Sequence, residues 1–339
     1  MRVLVTGGGG FIGSYVVERL LAAGDEVVVL DRHPVHPVAG AELIRADLAD
    51  PDSSRCAVRA VDAVCHLAAR VGVSEDFTDA PMYTHDNDVA TAVLLAALSE
   101  RRFQGRLVLS SSMVVYGEGA YRCETHGSVP AAPRPLRDLE AGRFDPPCPE
   151  CGNALLWEPV HESAVLDPRS VYAVGKVGQE HLSRVWARET GASVVALRYH
   201  NVYGRRLPLG TPYAGVAALF RDRLRRGEAP VVFEDGGQMR DFVHVTDVAA
   251  ANVVALEHDL GRGGFDAFNV ASGKHASILE IARALADQFG HHAAQPLVTG
   301  RFRPGDVRHV VASPEKASRI LGFEAKVSLE DGMADLANE

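Results

Sequence analysis

A tyrosine and a lysine four positions apart are the first residues in this sequence that could carry out chemistry together. Tyr172 and Lys176 lie in "SVYAVGKVGQEHLSRVWARET", where apolar residues recur at helical spacing. Side chains four apart project from one face of a helix. A free phenol titrates at about 10, but an adjacent ammonium favours the phenolate. The pair therefore predicts an acid–base centre with Tyr172 as the base.

A serine provides the third group of this centre. The segment "GRLVLSSS" is typical of a buried strand that ends in hydroxyls, the last of which is Ser112. The carboxyl ends of strands in an open α/β sheet are where such sheets bind ligands. We expect Ser112 to hydrogen-bond the reacting hydroxyl, so that Ser112, Tyr172 and Lys176 form the catalytic set.

A glycine-rich turn, "TGGGGFIG", directly follows the first predicted strand and opens a helix. Gly7, Gly10 and Gly13 fit the spacing GxxGxxG, and Gly8, Gly10 and Gly13 fit GxGxxG. Either spacing gives a tight turn and brings helix-start amides to a pyrophosphate. The turn therefore predicts a dinucleotide site.

Acidic residues at the ends of the next strands predict which dinucleotide binds. Asp31 ends the second strand, about twenty residues after the turn, where a carboxylate can bind a ribose diol. Its charge would repel a 2′-phosphate and so favours NAD over NADP, although Arg32 beside it reduces that preference. Asp47 ends the third strand; it is either a hydrogen-bond acceptor for the adenine amine or a solvated loop acid.

Four residues in a proline-rich stretch have the spacing of a metal site. Cys123 and His126 form a CxxH, and Cys148 and Cys151 form a CxxC. Three thiols and an imidazole predict a tetrahedral, closed and therefore structural Zn²⁺ site. The alternatives are a redox CxxC, which "DPPCPECGN" does not favour because no helix start lowers a thiol pKa there, and unrelated residues in a loose loop.

The elements that must position these groups alternate short β-branched runs with amphipathic helices. This pattern predicts an α/β protein with a Rossmann-type doubly wound parallel sheet. We expect an NAD-binding domain over residues 1–200, with an insertion at about 118–158 that carries the zinc ligands. Residues 201–339 would form mainly a smaller substrate-binding α/β domain, and residues 241–268 would return to the first domain.

Composition narrows the classes of function. The chain has 339 residues, 47% of them hydrophobic, and a formal net charge of −9. This charge argues against nucleic acid and anionic membranes as partners, so a phosphate-bearing ligand must be met by local cations. No apolar run approaches a membrane span and no signal peptide is recognisable, which predicts a cytoplasmic protein. Five cysteines in a reducing compartment make a disulfide framework improbable.

The ordered motifs resemble the extended short-chain dehydrogenase/reductase superfamily, specifically its NAD-dependent nucleotide-sugar epimerases and dehydratases. The resemblance covers nearly the whole chain. It is carried by TGGGGFIG, Asp31, Asp47-Leu48, HLAA (66–69), SSSMVVYG (110–117), YAVGK (172–176), RYHNVYG (198–204), MRDFVHVTD (239–247) and RPGD (303–306).

By this resemblance, two groups of residues acquire expected roles. The NAD site would comprise Gly7, Gly10, Phe11, Ile12, Gly13, Asp31, Arg32, Asp47, Leu48, Leu67, Ala68, Ala69, Ser110, Tyr172, Lys176 and Tyr199. The nucleotide-sugar site would comprise Ser112, Asn201, Arg240, Arg303 and Asp306, in which the guanidinium groups supply the local positive charge. Two departures from the family pattern are Asp88, where Asn is usual, and His200, where an aromatic residue is usual.

The residues after Ser112 favour one reaction within this family. In the resembling 4,6-dehydratases an Asp and a Glu follow the catalytic hydroxyl, because water elimination needs an acid and a base. Here Met113 and Val114 occupy those positions, and neither can move a proton. The reaction that remains is 4-epimerisation. In it, tightly bound NAD transiently oxidises carbon 4, the keto sugar rotates, and the hydride returns. A 4-ketoreductase or dehydrogenase would use the same residues, and a non-catalytic NAD-binding regulator is the third alternative.

The metal motif together with "DPRSVYA" and "VVFEDG" resembles bacterial enzymes assigned as dTDP-L-rhamnose 4-epimerases. The runner-up substrates are UDP-hexoses and UDP-uronates. By the same resemblance, the helices around "TAVLLAAL" and Tyr172 would form a homodimer contact.

Overall fold

The structure is a computed structural model, and it describes residues 1–72, 76–208 and 215–338. Within these ranges the strands are β1 Arg2–Thr6, β2 Glu26–Leu30, β3 Glu42–Ile44, β4 Ala63–His66, β5 Arg106–Ser112, β6 Ala120–Cys123, β7 Gly127–Ser128, β8 Leu156–Glu158, β9 Ser193–Tyr199, β10 Asn201–Tyr203, β11 Val231–Val232, β12 Met239–His244, β13 Phe265–Val270, β14 His275–Ser277 and β15 Leu297–Val298.

The helices of the described residues are α1 Phe11–Ala22, α2 Pro51–Ala57, α3 Ala80–Tyr83, α4 Ala90–Glu100, α5 Leu136–Glu140, α6 Val171–Thr190, α7 Val216–Arg225, α8 Val245–Glu257, α9 Ile278–Gln288 and α10 Leu329–Ala337. A π-helical turn, Thr84–Val89, joins α3 to α4, and a short 3₁₀ turn, Met113–Tyr116, follows β5. None of these helices is long and apolar enough to cross a membrane.

The large sheet has seven parallel strands in the order β13-β9-β5-β4-β1-β2-β3. Successive side chains of a strand point to opposite faces, and β1 shows the result: Val3 and Val5 belong to one apolar cluster, and Leu4 belongs to the other. Helices α1 and α8 contribute to the first cluster, and α2, α4 and α6 to the second. Burial on both faces explains the near-continuous apolar runs of these strands, and the predicted Rossmann-type fold is confirmed.

The strand order reverses at β1, because β2 lies on one side of it and β4 on the other. A crevice opens at such a switch point, beyond the carboxyl ends of the strands. The glycine-rich turn that follows β1 and the end of β4 therefore meet at this crevice.

A smaller lobe carries the three-stranded sheet β10-β12-β14 and the pair β11-β15. Its apolar cluster lies between α7, α9 and α10. The chain from residue 241 is divided between the lobes: residues up to His244 lie in β12 of the small sheet, whereas α8 packs on α1 and β13 pairs with β9 in the large sheet.

The predicted insertion forms a three-stranded sheet, β7-β6-β8. Strands β6 and β8 are antiparallel, and Ala120 lies opposite Glu158, so the insertion leaves and rejoins the chain at neighbouring points. Its core is a small apolar cluster that includes Tyr121, Cys123 and Cys148. The stretch is therefore a folded unit, although the composition indicated a loop.

Candidate active site and metal centre

A cleft of about 650 Å³ lies at the switch point of the large sheet. All the residues predicted to bind the cofactor, from Gly7 to Tyr199, line it. Residues that the motifs did not single out line it as well, among them Arg70, Asp86 and Ser111. The cleft therefore extends from the glycine-rich turn to the predicted catalytic side chains Tyr172 and Lys176.

The glycine-rich turn packs tightly against its own backbone only because its residues lack side chains. Gly7 has a φ of +69°, and a Cβ placed on Gly13 would lie 2.1 Å from the Gly7 carbonyl oxygen. Gly10 caps α1 without a side-chain hydrogen bond to the first helical turn. Phe11, Ile12 and Gly13 of that turn line the cleft, so the donors and the helix dipole suit a pyrophosphate.

The Asp31 carboxylate is fixed by backbone amides at the rim of the cleft. Its oxygens accept hydrogen bonds from Gly9 N at 2.9 Å and His33 N at 2.8 Å. Each carboxylate oxygen can accept a further hydrogen bond, which leaves Asp31 able to bind a ribose hydroxyl.

Arg32 is held by two acids. Its Nη1 lies 3.0 Å from Asp47 Oδ2, and its Nη2 lies 3.1 Å from Asp86 Oδ2. Arg70 donates from Nε to the same Asp86 oxygen at 2.9 Å. Although burial raises the pKa of Asp86, the hydrogen bonds from Arg32 and His85 and the two guanidinium charges lower it to about 2. Sequence motifs did not reveal Asp86 or Arg70, because their partners are distant in the chain.

Beneath the cleft, a buried polar chain connects β1, β4 and α4. The Thr91 hydroxyl donates to the Asn87 carbonyl at 2.7 Å, so it accepts from His66 Nε2 at 2.8 Å. His66 Nδ1 must then accept from the Thr6 hydroxyl at 2.8 Å, and Thr6 accepts from Ala68 N at 3.2 Å. Burial lowers the pKa of His66 to about 3. The neutral imidazole thus fixes the backbone at Ala68, which lines the cleft.

The predicted catalytic side chains come together where β5 ends and α6 begins. The Ser170 side chain caps α6 by accepting from Ala173 N, which places Tyr172 in the first turn. The Ser112 hydroxyl lies close enough to the Tyr172 phenol to lower its pKa, and Ser112 Oγ accepts from Val114 N at 3.4 Å. Lys176 Nζ lies 5.9 Å from the centroid of the Tyr172 ring and donates to the Ser110 carbonyl at 2.7 Å.

Burial dominates the protonation of this pair. It raises the pKa of Tyr172 to about 12, against the smaller lowering effect of the Ser112 hydrogen bond. It lowers the pKa of Lys176 to about 7, although the charges of Glu180 and Asp88 act in the opposite direction. Burial therefore favours the neutral phenol in the protein alone, and the expected phenolate depends on a further positive charge such as the nicotinamide would supply.

A buried ion pair supports the strand that carries these serines. Glu180, one turn beyond Lys176, accepts from Arg198 Nε at 2.9 Å and from its Nη2 at 2.8 Å. The Ser111 hydroxyl also donates to Glu180. The Glu180–Arg198 ion pair therefore connects α6 and β9 to Ser111 of β5.

Of the predicted substrate residues, Asn201 lies nearest the catalytic corner. Its Nδ2 donates to the Asp241 carbonyl at 2.9 Å and lies 3.5 Å from the sulfur of Met113, the residue after Ser112. Asn201 and Ser112 are not among the residues that line the cofactor cleft.

The other three predicted substrate residues lie together on the smaller lobe. The Arg240 guanidinium donates to the carbonyls of Met239, Val307 and Arg308, each at 2.8 Å. The Arg303 guanidinium lies 5.1 Å from the centroid of an aromatic ring. The charges of Arg303 and Arg240 both act on the Asp306 carboxylate. The two predicted cations, Arg240 and Arg303, therefore lie close enough to act on one carboxylate, that of Asp306.

The two departures from the family pattern lie off the lining of the cleft. Asp88 packs against α6, where a Cβ on Gly178 would lie 2.3 Å from its Oδ1. His200 is buried, and burial lowers its pKa to about 3. Neither side chain lines the cofactor cleft.

The four predicted metal ligands converge within the insertion. Their ligand atoms all lie within 4.8 Å of one another. Cys123 Sγ lies 3.7 Å from Cys151 Sγ, and His126 Nδ1 lies 3.5 Å from Cys123 Sγ and 3.6 Å from Cys148 Sγ. Tetrahedral Zn²⁺ with ordinary bond lengths would separate two sulfurs by about 3.8 Å and sulfur from nitrogen by about 3.5 Å. Backbone hydrogen bonds, first from His126, lower the pKa of Cys123 to about 6, so the donor set fits zinc.

Comparison with known proteins identifies the family. A model described as the NAD dependent epimerase/dehydratase family matches residues 3–136 and 152–271. The dTDP-L-rhamnose 4-epimerase of Burkholderia thailandensis is 35% identical over 348 residues, which cover 99% of this chain and 93% of the relative. The chain belongs to the NAD-dependent epimerase/dehydratase family, and the predictions of that family and of an enzyme are confirmed. The family model leaves out residues 137–151, which include Cys148 and Cys151.

Solved structures show the same fold over the whole chain. The UDP-glucose 4-epimerase of Thermotoga maritima, solved with UDP-glucose, has a TM-score of 0.81 and 30% identity and covers 100% of this chain and 98% of its own. The UDP-glucose 4-epimerase of Thermus thermophilus, in complex with NAD, has a TM-score of 0.78 and 31% identity with the same coverage.

Proposed function

We propose that the protein is a nucleotide-sugar 4-epimerase that keeps NAD bound through the reaction. The observation that carries this proposal is the position of Tyr172 and Lys176 on the wall of the cofactor cleft, with the Ser112 hydroxyl close to the phenol at the end of β5. The residues assigned to the cofactor and substrate follow the family pattern, and the relatives named as 4-epimerases support the reaction.

Each catalytic side chain has a defined task in this proposal. NAD, when bound, supplies reversible hydride transfer. Tyr172 takes the proton of the sugar hydroxyl and later returns it, and Ser112 orients both oxygens by hydrogen bonding. Lys176, fixed by the Ser110 carbonyl, stabilises the phenolate when charged. Because burial raises the pKa of Tyr172 to about 12, the proton transfer requires a further positive charge in the cleft.

The surroundings of Ser112 favour epimerisation over dehydration. Met113 contacts Asn201 and Val114 follows it in the 3₁₀ turn. Neither side chain can donate or accept a proton for the elimination of water. A 4-ketoreductase or dehydrogenase with the same catalytic set is the alternative, and a non-catalytic NAD-binding regulator would show no turnover.

The cofactor and the sugar follow from separate observations. Arg32 is paired with Asp47 and Asp86, so it is not free to receive a 2′-phosphate, and we favour NAD over NADP. The relative at 35% identity is named dTDP-L-rhamnose 4-epimerase, and we propose this activity first. UDP-hexoses and UDP-uronates are the alternative substrates, since relatives named UDP-glucose 4-epimerase are also close.

We further propose a structural Zn²⁺ bound by Cys123, His126, Cys148 and Cys151, because four protein ligands would leave no open position for catalysis. The large-sheet lobe would bind NAD and the smaller lobe the nucleotide sugar. We place the protein in the cytoplasm as a homodimer. Exposed apolar residues on one side of α6 support the dimer; they are Val174, Leu182 and Val185.

A substrate panel tests the proposed reaction. Purified protein, without added cofactor, is incubated with dTDP-L-rhamnose, UDP-glucose, UDP-galactose and UDP-glucuronate, and the products are resolved by chromatography. We expect a 4-epimer of at least one sugar. Tyr172→Phe should retain NAD but lose turnover by at least ~100-fold, because the proton acceptor is gone. Wild-type rates in Tyr172→Phe, or no epimer from any sugar, would contradict the proposal.

A further inference from the structure

The metal-binding insertion contacts the part of the smaller lobe that holds the predicted substrate cations. Residues 306–312 run between the insertion and β12. On one side Val310 pairs with Arg240 of β12, and on the other Ala312 pairs with Val160, just after the insertion. The insertion and the diphosphate region therefore share one segment of chain.

Two side chains of the insertion hold the backbone of this segment. The Tyr121 hydroxyl accepts a hydrogen bond from His309 N at 3.1 Å, and Glu118 Oε2 accepts one from Arg308 N at 3.0 Å. Both acceptors are buried. Two buried acceptors of the insertion thus fix the backbone amides of residues 308 and 309.

A carboxylate of the insertion holds the side chains of the same two residues. Asp145 Oδ1 lies 2.9 Å from Arg308 Nε and 3.1 Å from His309 Nε2. His309 Nδ1 in turn accepts from Met239 N at 3.0 Å. This chain of contacts leads from the insertion to the residue before Arg240.

A third contact reaches residue 306. Arg134 Nη2 donates to the Asp306 carbonyl at 2.6 Å and lies 2.9 Å from Glu234 Oε1, and this ion pair is almost completely buried. Glu234 also pairs with Arg308 at 2.8 Å. A buried ion pair with good geometry is costly to break from one side, so the insertion is firmly seated here.

The same short segment determines the position of Arg240. The carbonyls of residues 307 and 308 accept hydrogen bonds from both terminal nitrogens of its guanidinium. A shift of these carbonyls must move the guanidinium, and Arg240 is one of the cations assigned to the diphosphate.

The contacts begin close to the metal ligands. Tyr121 precedes Cys123 by two residues in β6, and both belong to the apolar cluster of the insertion. Asp145 precedes Cys148 by three residues, and Leu155 N donates to the Pro146 carbonyl, which closes the CxxC hairpin. A tetrahedral metal would cross-link these two arms.

We propose that the insertion is a substrate-positioning module: through Tyr121, Asp145 and residues 306–309 it orients Arg240 for a nucleoside diphosphate. This inference rests on the proposed function for its ligand class. Tyr121 and Asp145 are positioning residues, because they act through other groups and are not placed against the reacting atoms.

Two conservative variants and a matched control test the proposal. Binding of dTDP and of UDP is measured by titration calorimetry for wild type, Tyr121→Phe, Asp145→Asn and Asp138→Asn. Asp138 is an acid of the same insertion that pairs with Arg143 and not with the smaller lobe. We expect Tyr121→Phe and Asp145→Asn to weaken binding of the diphosphate by ~5- to 10-fold, because the first leaves the buried His309 N–H without its acceptor and the second weakens a charge-assisted hydrogen bond. Asp138→Asn should bind as wild type does.

A purely structural role would produce a different pattern. In our proposal KM for the nucleotide sugar rises while kcat and the NAD content stay within about twofold of wild type, because the catalytic set lies on the other lobe. If Asp145→Asn and Tyr121→Phe bind both diphosphates with wild-type affinity, the inference is wrong. If they lose NAD and kcat in parallel with affinity, the insertion stabilises the whole protein and the inference is equally wrong.

Removal of the metal tests the proposal independently. We expect chelator-treated, zinc-free protein and Cys148→Ser to lose diphosphate affinity to the same extent and to retain NAD. Unchanged affinity in both proteins would contradict the role of the hairpin that the metal holds. If wild type binds a diphosphate but epimerises no sugar, the proposed function is wrong. The binding comparisons between the variants would still test the positioning role of the insertion. Wild type that binds neither diphosphate would overturn the inference itself.

Discussion

At the scale of single residues, burial controls the chemistry of the site more than neighbouring charge does. Tyr172 and Lys176 lie close together at the inner wall of the cleft, and burial shifts both toward their neutral forms. The spacing YxxxK predicted that the two would meet, and they do. It could not predict their protonation, because desolvation depends on elements such as β5 and α3 that are distant in the chain.

The buried amine makes stability depend on pH. The pKa of Lys176 is lowered from 10.5 to about 7. Between these values the unfolded chain binds a proton that the folded protein does not, so folding stability increases with pH in that window. We expect the unfolding free energy of NAD-free wild type to rise relative to Lys176→Met between pH of about 7 and about 10, by up to ~5 kcal/mol.

Urea unfolding of both proteins at a series of pH values checks this. Other titrating groups are common to the two proteins, so they cancel in the difference. A difference that is flat across the window would mean that the amine stays charged when folded.

At the scale of elements, the sequence predicted the large sheet well and the insertion poorly. The strands at the centre of the sheet are mostly apolar, as in VLVT of β1 and VVVL of β2, and Gly7 and Asp31 mark where these two strands end. The insertion has short strands and a core of few residues, and much of its stabilisation comes from partners such as Arg308 that lie more than a hundred residues away. No local pattern reports such contacts, although the paired CxxH and CxxC did predict which four side chains of the insertion converge.

Zinc content tests the organisation of this element. We expect about one zinc per chain in purified protein, and almost none in Cys148→Ser, because three remaining ligands leave the tetrahedral shell incomplete. Cys56→Ser, which changes an exposed free thiol elsewhere, should keep its zinc. Elemental analysis gives the metal content, and limited proteolysis of residues 118–158 reports the order of the insertion. A metal-free wild type with a protease-resistant insertion would argue that the apolar cluster suffices.

At the scale of the whole molecule, the two lobes meet along the chain that carries the catalytic and substrate residues. Tyr199 lines the cofactor cleft and Asn201 approaches Met113, so a single residue, His200, separates the cofactor wall from the predicted substrate wall. The order of motifs predicted this arrangement. The division of residues 241–268 between both lobes was not apparent, because β12 and β13 have similar apolar patterns.

The exposed side of α6 predicts the assembly. Val174, Leu182 and Val185 are 57%, 39% and 52% exposed, which is unfavourable for an apolar stripe on a single copy. We expect a homodimer in solution, and Val185→Glu should convert it to a monomer because a charge would be buried without a partner. Val165→Glu, at an exposed position outside α6, is the control. Light scattering after gel filtration gives the mass, and a wild-type monomer would contradict the expectation.

The antiparallel pairing of Ala120 with Glu158 has an evolutionary consequence. Because the two ends of the insertion are adjacent, a short hairpin could replace everything between them without displacing β5 or α6. The metal module could therefore be gained or lost as a cassette within a lineage. By the positioning role proposed above, such an event would alter how tightly the descendants hold a nucleoside diphosphate and would leave Ser112, Tyr172 and Lys176 in place.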